Sequence, residues 1–138
     1  MIRYLMLDTN TVSDIMKGTS RAARRRLQKL DSDEIACISA ITEGELRFGF
    51  AKRPNSAPLV ALYDELLHSI QVLPWGSDQA MAYGKLRVKL HAAGKLLGPL
   101  DLLIASHAVS IGAVLITRDK AFGQVHDLAG VANWATDL

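Results

Sequence analysis

The sequence predicts an α/β fold of three layers, with a central parallel sheet of four or five strands covered by helices on both faces. Three observations point there. Short apolar runs alternate with longer helical stretches along the whole chain. The runs are continuously apolar rather than half polar, as strands buried on both faces are. No repeat, low-complexity tract or long linker interrupts the alternation. At 138 residues the chain has the size of one domain, expected to span 1–138.

The first run, Tyr4-Leu5-Met6-Leu7, reads as a strand closed by Asp8-Thr9-Asn10, all good helix N-caps. A helix follows to Met16, stopped at Gly18, with Lys17 well placed near its C-terminal end. Ser20 caps a second helix through Leu30, which carries Arg21, Arg24, Arg25, Arg26 and Lys29. Residues 34–38 form a second strand, and Ser39-Ala40 opens a helix running to about Arg53. Pro54-Asn55-Ser56 breaks it before a helix over 57–69. The third strand is 70–73, met by Pro74, and Ser77 or Asp78 caps a long helix ending near Gly94. Gly98-Pro99-Leu100-Asp101 is a helix-start signal. The stretch 102–111 is apolar nearly all round, so its helix should be buried. Gly112 ends it, 113–117 is a fourth strand, a short helical turn begins near Asp119, and 131–134 is a fifth strand.

Composition narrows the function. Hydrophobic residues at 49% and charged residues at 22% exclude a disordered chain. The net charge of +2 permits an anionic partner without requiring one. Aromatics at 6% argue against a platform that stacks many bases. One cysteine, Cys37, excludes an internal disulfide and leaves too few thiols for a structural zinc site. No apolar run is long enough to span a membrane, and Asp8 interrupts the start too early for a signal peptide. The expected location is cytoplasmic.

In parallel sheets, ligands bind beyond the carboxyl ends of the strands. Asp8 follows the first strand, Asp119 closely follows the fourth, and Asp101 opens the buried helix that leads into it. Glu45 lies on the helix after strand two, on the face of Ile41 and Phe48, whereas Glu43 faces away and pairs with Arg47. A carboxylate in an apolar stripe needs a charged partner, so Glu45 joins the candidates and Glu43 is left as a surface acid. Asp8, Asp101 and Asp119 can each also be read as simple N-caps. Convergence favours the site: several carboxylates in one pocket repel one another unless a cation joins them. Oxygen donors without His or Cys suit Mg²⁺ or Mn²⁺, which can activate water and neutralise a phosphate. The constellation reads as metal-dependent phosphodiester hydrolysis.

The four histidines build no rival site; His107 lies in the buried helix as a core residue, and Cys37 is a small buried hydrophobe. The segment 94–98 is a surface loop near Asp101. The basic helix, through Arg21, Arg24, Arg25 and Lys29, is either a solvated face or a contact for RNA phosphates or an acidic protein segment.

Leu7-Asp8-Thr9-Asn10, Ser39-Ala40-Ile41-Thr42-Glu43-Gly44-Glu45-Leu46, Gly98-Pro99-Leu100-Asp101 through Ala105-Ser106-His107-Ala108, and Leu115-Ile116-Thr117-Arg118-Asp119-Lys120-Ala121-Phe122 stand in order along the chain. Together they resemble the PIN-domain ribonucleases, and within them the VapC toxins of bacterial type II toxin–antitoxin systems. The resemblance implies that Asp8, Glu45, Asp101 and Asp119 form an acidic quartet around Mg²⁺ or Mn²⁺, with Asn10 and Thr117 supporting it. Glu45, not Glu43, matches because the family's glutamate directly precedes a leucine, here Leu46. It further implies an RNA-cutting toxin, often a homodimer, inhibited by a VapB-like antitoxin that threads a peptide along it. Operator DNA is bound through the antitoxin. Some relatives with a similar Gly-Pro-Leu-Asp segment cut initiator tRNA, which makes tRNA one candidate substrate. Two alternatives stand beside this one. A catalytically idle RNA- or protein-binding module would use the basic helix. The run Asp8-Thr9-Asn10-Thr11-Val12 also resembles the nucleophile motif of haloacid-dehalogenase-like phosphatases, but Asn10 stands where that motif has an acid.

Overall fold

Five parallel strands in the order β3-β2-β1-β4-β5 form the sheet, in a computed structural model that describes residues 1–136. They are β1 (Arg3–Leu7), β2 (Glu34–Ser39), β3 (Gln71–Leu73), β4 (Val114–Ile116) and β5 (Gly130–Ala132). The helices are α1 (Thr9–Lys17), α2 (Arg21–Gln28), α3 (Ala40–Ala51), α4 (Ala57–Leu66), α5 (Ser77–Ala92) and α6 (Pro99–Ile111). A 3₁₀ turn, Lys120–Gln124, stands where the short turn after Asp119 was expected.

Strand alternation assigns the core to two faces. Leu5, Leu7, Ala36, Ile38 and Ile116 pack with Val12, Ile15, Leu27, Leu46, Phe50 and Tyr63 of the first four helices. Met6, Cys37 and Leu115 point the other way, against Leu86 and Leu90 of α5 and Leu102, Ala105 and Ala108 of α6. The expected buried helix is α6, with Ile104, Ala105, His107 and Ala108 almost wholly covered. Gly18 (φ 70°) and Gly112 (φ 66°) end α1 and α6 in the left-handed conformation that a side chain disfavours.

Several boundaries differ from expectation. Helix α4 stops at Leu66, not residue 69, because His68 and Ser69 donate to carbonyls only three residues back and tighten the end. Helix α3 stops at Ala51, short of Arg53. The N-cap of α5 is Gly76, whose N–H donates to Gln79 Oε1 at 2.8 Å, rather than Ser77 or Asp78. Strand β5 leaves the sheet before Trp134, whose ring is buried beneath the Arg26 guanidinium at 5.3 Å.

The chain leaves β1 for β2 on one side, and β4 returns on the other. Strand β1 is therefore the switch point of the sheet, and the crevice beyond β1 and β4 is the place such a sheet offers a ligand. No helix among the described residues is long and apolar enough to cross a membrane.

Candidate active site

Asp8 sits at the end of β1, buried (4% exposed), where its backbone N–H donates to the Ile116 carbonyl at 3.0 Å. Its Oδ1 accepts from the Thr11 N–H at 2.9 Å, so it is the N-cap of α1. Its Oδ2 accepts from the Thr117 hydroxyl at 2.5 Å. Capping does not exhaust this side chain: a carboxylate has about four lone-pair sites, and these two bonds occupy two. Thr117 lies buried just past β4, and its Oγ1 also accepts from the Asp119 N–H at 3.0 Å. One hydroxyl thus ties the first acid to the backbone of the last. Asp119 is exposed and caps the 3₁₀ turn through Oδ1 and the Ala121 N–H at 2.9 Å.

Asp101 is not a cap. Gly98 is the N-cap of α6 and Pro99 its first residue, which puts Asp101 in the first turn, where the helix dipole favours a negative charge. Burial holds its pKa above the ordinary carboxylate value, and the charges of Asp119, Glu45 and Asp8 push it further the same way. All three other acids therefore act on one carboxyl group. Among the described residues, no Lys or Arg counters their effect on Asp101. Arg118, next in sequence to Asp119, is drawn off by Asp14 at 2.9 Å.

Glu45 reaches this region by a route the helical pattern did not give. The buried face of α3 is Thr42, Leu46 and Phe50, and Phe48 is 66% exposed, so no apolar stripe surrounds Glu45. It is held instead by Thr9, whose hydroxyl donates to Oε1 at 2.7 Å and also lies 3.5 Å from Thr42 Oγ1. Glu43 is not a free surface acid: it accepts from the Tyr63 hydroxyl at 2.8 Å, while Arg47 lies over the Tyr63 ring at 5.0 Å rather than against Glu43. Thr9 is the site residue that the sequence reading missed. Its place directly after Asp8, on the first turn of α1, was the available clue. Asn10, expected to support the acids, is exposed and its side chain makes no hydrogen bond among the described residues.

The remaining candidates lie elsewhere. His107 is fully buried with Nδ1 2.7 Å from Ser39 Oγ, a satisfied core residue whose burial lowers its pKa. Cys37 is buried, and burial pushes its thiol up to about 12. The basic helix α2 is not brought to the acids. Arg26 binds Glu34 at 2.8 Å, at the amino end of β2, and Arg24 donates to the Ile15 carbonyl at 2.8 Å. Arg21, Arg25 and Lys29 remain exposed.

Among the described residues, no three His, Cys, Asp or Glu side chains are drawn into a ready-made metal cage. Asp8, Glu45 and Asp119 stand near enough for their charges to act on Asp101, without closing into a cage. Their donor set is all oxygen and their charge is uncompensated, which fits a hard divalent cation that keeps several of its waters.

The sequence matches the PIN domain family over residues 5–128. The chain belongs to that family. Among PIN-domain relatives, it is 30% identical over 130 residues to Ribonuclease VapC2 of Rickettsia felis, covering 94% of this chain and 96% of that one. It is 33% identical to the tRNA(fMet)-specific endonuclease VapC of Salmonella typhimurium, over 86% of this chain and 88% of the relative. In three dimensions the PIN fold matches the crystal structure of VapBC2 from Rickettsia felis bound to a DNA fragment from their promoter. The TM-score is 0.89 at 28% identity, covering 95% of this chain and 98% of that one.

Proposed function

We propose that this PIN domain is a divalent-metal-dependent endoribonuclease, the toxin of a type II toxin–antitoxin pair, which cuts RNA to halt translation and growth. The observation that carries this reading is the gathering of Asp8, Glu45 and Asp119 around Asp101 at the switch point of the sheet, where no cationic side chain among the described residues offsets their effect on Asp101. Mg²⁺ or Mn²⁺ would be held by Asp8 and Asp101, with Glu45 and Asp119 completing the shell or orienting water. When bound, such an ion supplies charge neutralisation at the phosphate and a more acidic water. The protein's own part is positional. Thr117 and the Thr11 N–H fix Asp8, Thr9 fixes Glu45, and the first turn of α6 presents Asp101.

The similarity to VapC2 and to a VapBC complex bound to promoter DNA supports a VapB-like antitoxin as partner, with operator DNA bound through it, and we propose that the toxin itself is a homodimer. The groove between α1, α2 and α4 suits an amphipathic antitoxin segment: Ile15, Met16, Leu27 and Leu66 line it, and Arg24 and Glu65 stand among them. The free cations Arg21, Arg25 and Lys29 of α2 belong with that partner surface. The name of the Salmonella relative makes initiator tRNA the first substrate to try.

The test is cleavage of total RNA and of initiator tRNA by purified protein, with and without a divalent ion. Cleavage should require the ion and vanish in Asp8→Asn. Induced expression should arrest growth, and Asp8→Asn should relieve the arrest. Undiminished cutting in chelator refutes the metal-dependent reading, and equal growth arrest by both forms favours an idle binding module.

A further inference from the structure

The acidic site shares a wall with a second cavity. Gly98 lies against Asp101, so that a Cβ added there would stand 3.6 Å from Oδ2. Its neighbours Leu97 and Pro99 line a separate space of about 250 Å³ between α5 and the start of α6. Leu90 and Leu102 make that space apolar, Arg87 and Lys95 add positive charge, and His91 adds an imidazole.

The basic groups are placed by the backbone. Arg87 and His91 are four residues apart on α5 and project from one face. Lys95 is fixed just past the helix, where its N–H donates to the Leu90 carbonyl at 2.9 Å. The Arg87 guanidinium donates to the Tyr83 hydroxyl at 2.8 Å and lies over the Tyr83 ring at 5.9 Å. None of the three is ion-paired among the described residues, whereas Lys89, also on α5, is held by Asp127 at 2.8 Å. The neighbouring Leu96, whose carbonyl accepts from Gln124 at 3.2 Å, is 84% exposed.

Unpaired cations over an apolar floor, one wall away from an acid cluster, match a nucleotide. Phosphate oxygens take charge-assisted hydrogen bonds from Arg and Lys, and an unstacked base takes an apolar surface or a guanidinium plane. We propose that this cavity holds the nucleotide adjoining the cleaved phosphodiester of a single-stranded RNA. Its phosphate meets Arg87, His91 and Lys95, and its base lies against Leu96, Leu97 and the Arg87–Tyr83 pair. The position of the cut rests on the ribonuclease reading above; the binding does not.

Affinity for a short labelled single-stranded RNA of mixed sequence, measured by fluorescence anisotropy in chelator, tests the binding without cleavage. Arg87→Gln and Lys95→Gln should each weaken it about tenfold, the scale of one charge-assisted hydrogen bond. Adding His91→Gln to both should lower the slope of log affinity against log salt by about 1.4, the share of the two permanent cations at about 0.7 per phosphate contact on a single strand. A comparison variant, Arg21→Gln with Arg25→Gln and Lys29→Gln, removes comparable charge from α2. Equal weakening by the two sets overturns the proposal, as does unchanged binding in the cavity variants. Tighter binding of an acidic peptide than of RNA at these residues overturns it too. If the triple variant melts early, Lys95→Gln alone, in the turn after α5, decides the matter. Wild-type protein that binds RNA through these residues yet cuts none with any divalent ion sinks the ribonuclease reading and keeps the cavity. Normal cutting by the cavity variants, with normal binding, does the reverse.

Discussion

Asp101→Asn should make the metal-free protein more stable while abolishing cleavage. Asp101 carries a raised pKa, first through burial and then through the charges of Asp119, Glu45 and Asp8. The native state therefore holds this proton more tightly than the unfolded chain does. Stability falls as pH rises from the ordinary value near 3.8 through the raised one, and the penalty is complete above it. Asn cannot ionise and escapes that penalty. A single stabilising substitution commonly contributes about 0.5–2 kcal/mol. Losing the acid from the first turn of α6 takes back roughly 0.3–1 kcal/mol of dipole interaction. The net gain is up to about 1 kcal/mol, or up to about 3 °C for a chain of this length at ~2.1 cal/mol/K of unfolding entropy per residue.

Thermal melts followed by circular dichroism, at neutral pH and near pH 4, in chelator and across a Mg²⁺ series, measure all of this. The variant's advantage should shrink toward acid pH, where the wild-type group is protonated anyway. Wild-type protein should gain about 2.7 kcal/mol when Mg²⁺ reaches a hundred times its dissociation constant, and the variant far less. A variant that melts below wild type in chelator at neutral pH, or that keeps the whole Mg²⁺ response, refutes the idea of a strained acid relieved by a cation.

Thr117→Val removes a buried hydroxyl that donates to Asp8 and accepts from the Asp119 N–H, so it should lower stability by about 1–3 kcal/mol and cut kcat sharply. Thr117→Ser should restore both, as urea titration and RNA-cleavage kinetics would show. Thr9→Val frees Glu45 from its one hydroxyl partner and should lower kcat about tenfold with little change in KM, read from steady-state kinetics. Glu34 is held below its ordinary value of 4.5, chiefly by the Arg26 hydrogen bond, so its contribution is present above that value and lost as pH falls below it. Glu34→Gln should therefore cost about 1–3 kcal/mol at neutral pH, with the gap to wild type closing in acid, as urea unfolding at several pH values would report.

The layers of the fold were legible because strand patterning and helix stops are local. The apolar runs at 4–7 and 113–117 have no polar face to show, and Gly18 and Gly112 mark helix ends by backbone conformation. Element ends depended on tertiary contact and were less legible. Trp134 leaves the sheet for a place beneath Arg26, and nothing within five residues of it announces that guanidinium. The same holds for Glu43 and Glu45. Helical spacing set them on different faces, and they do meet different helices, yet neither the assumed apolar stripe nor the Glu43–Arg47 pair is present. The partners that decide their roles, Tyr63 and Thr9, lie on α4 and α1.

The carboxylates were legible as a group for a further reason, which also explains how the fold tolerates them. Asp8 and Asp119 each accept a backbone N–H as a cap, so their charges are already solvated by the helical turns they begin. Glu45 has a hydroxyl from Thr9. Among the described residues, Asp101 accepts no such bond from side chain or cap, and burial and its three acidic neighbours raise its proton affinity. Hydrogen bonding in the site is thus not shared evenly. Three acids are held by hydrogen bonds that persist without a cation, and the fourth is left to register its arrival. If that division is right, a divalent ion should perturb the Asp101 carboxyl resonance far more than those of Asp8 or Asp119. A uniform perturbation of all four would mean that the acids act as one undivided cage.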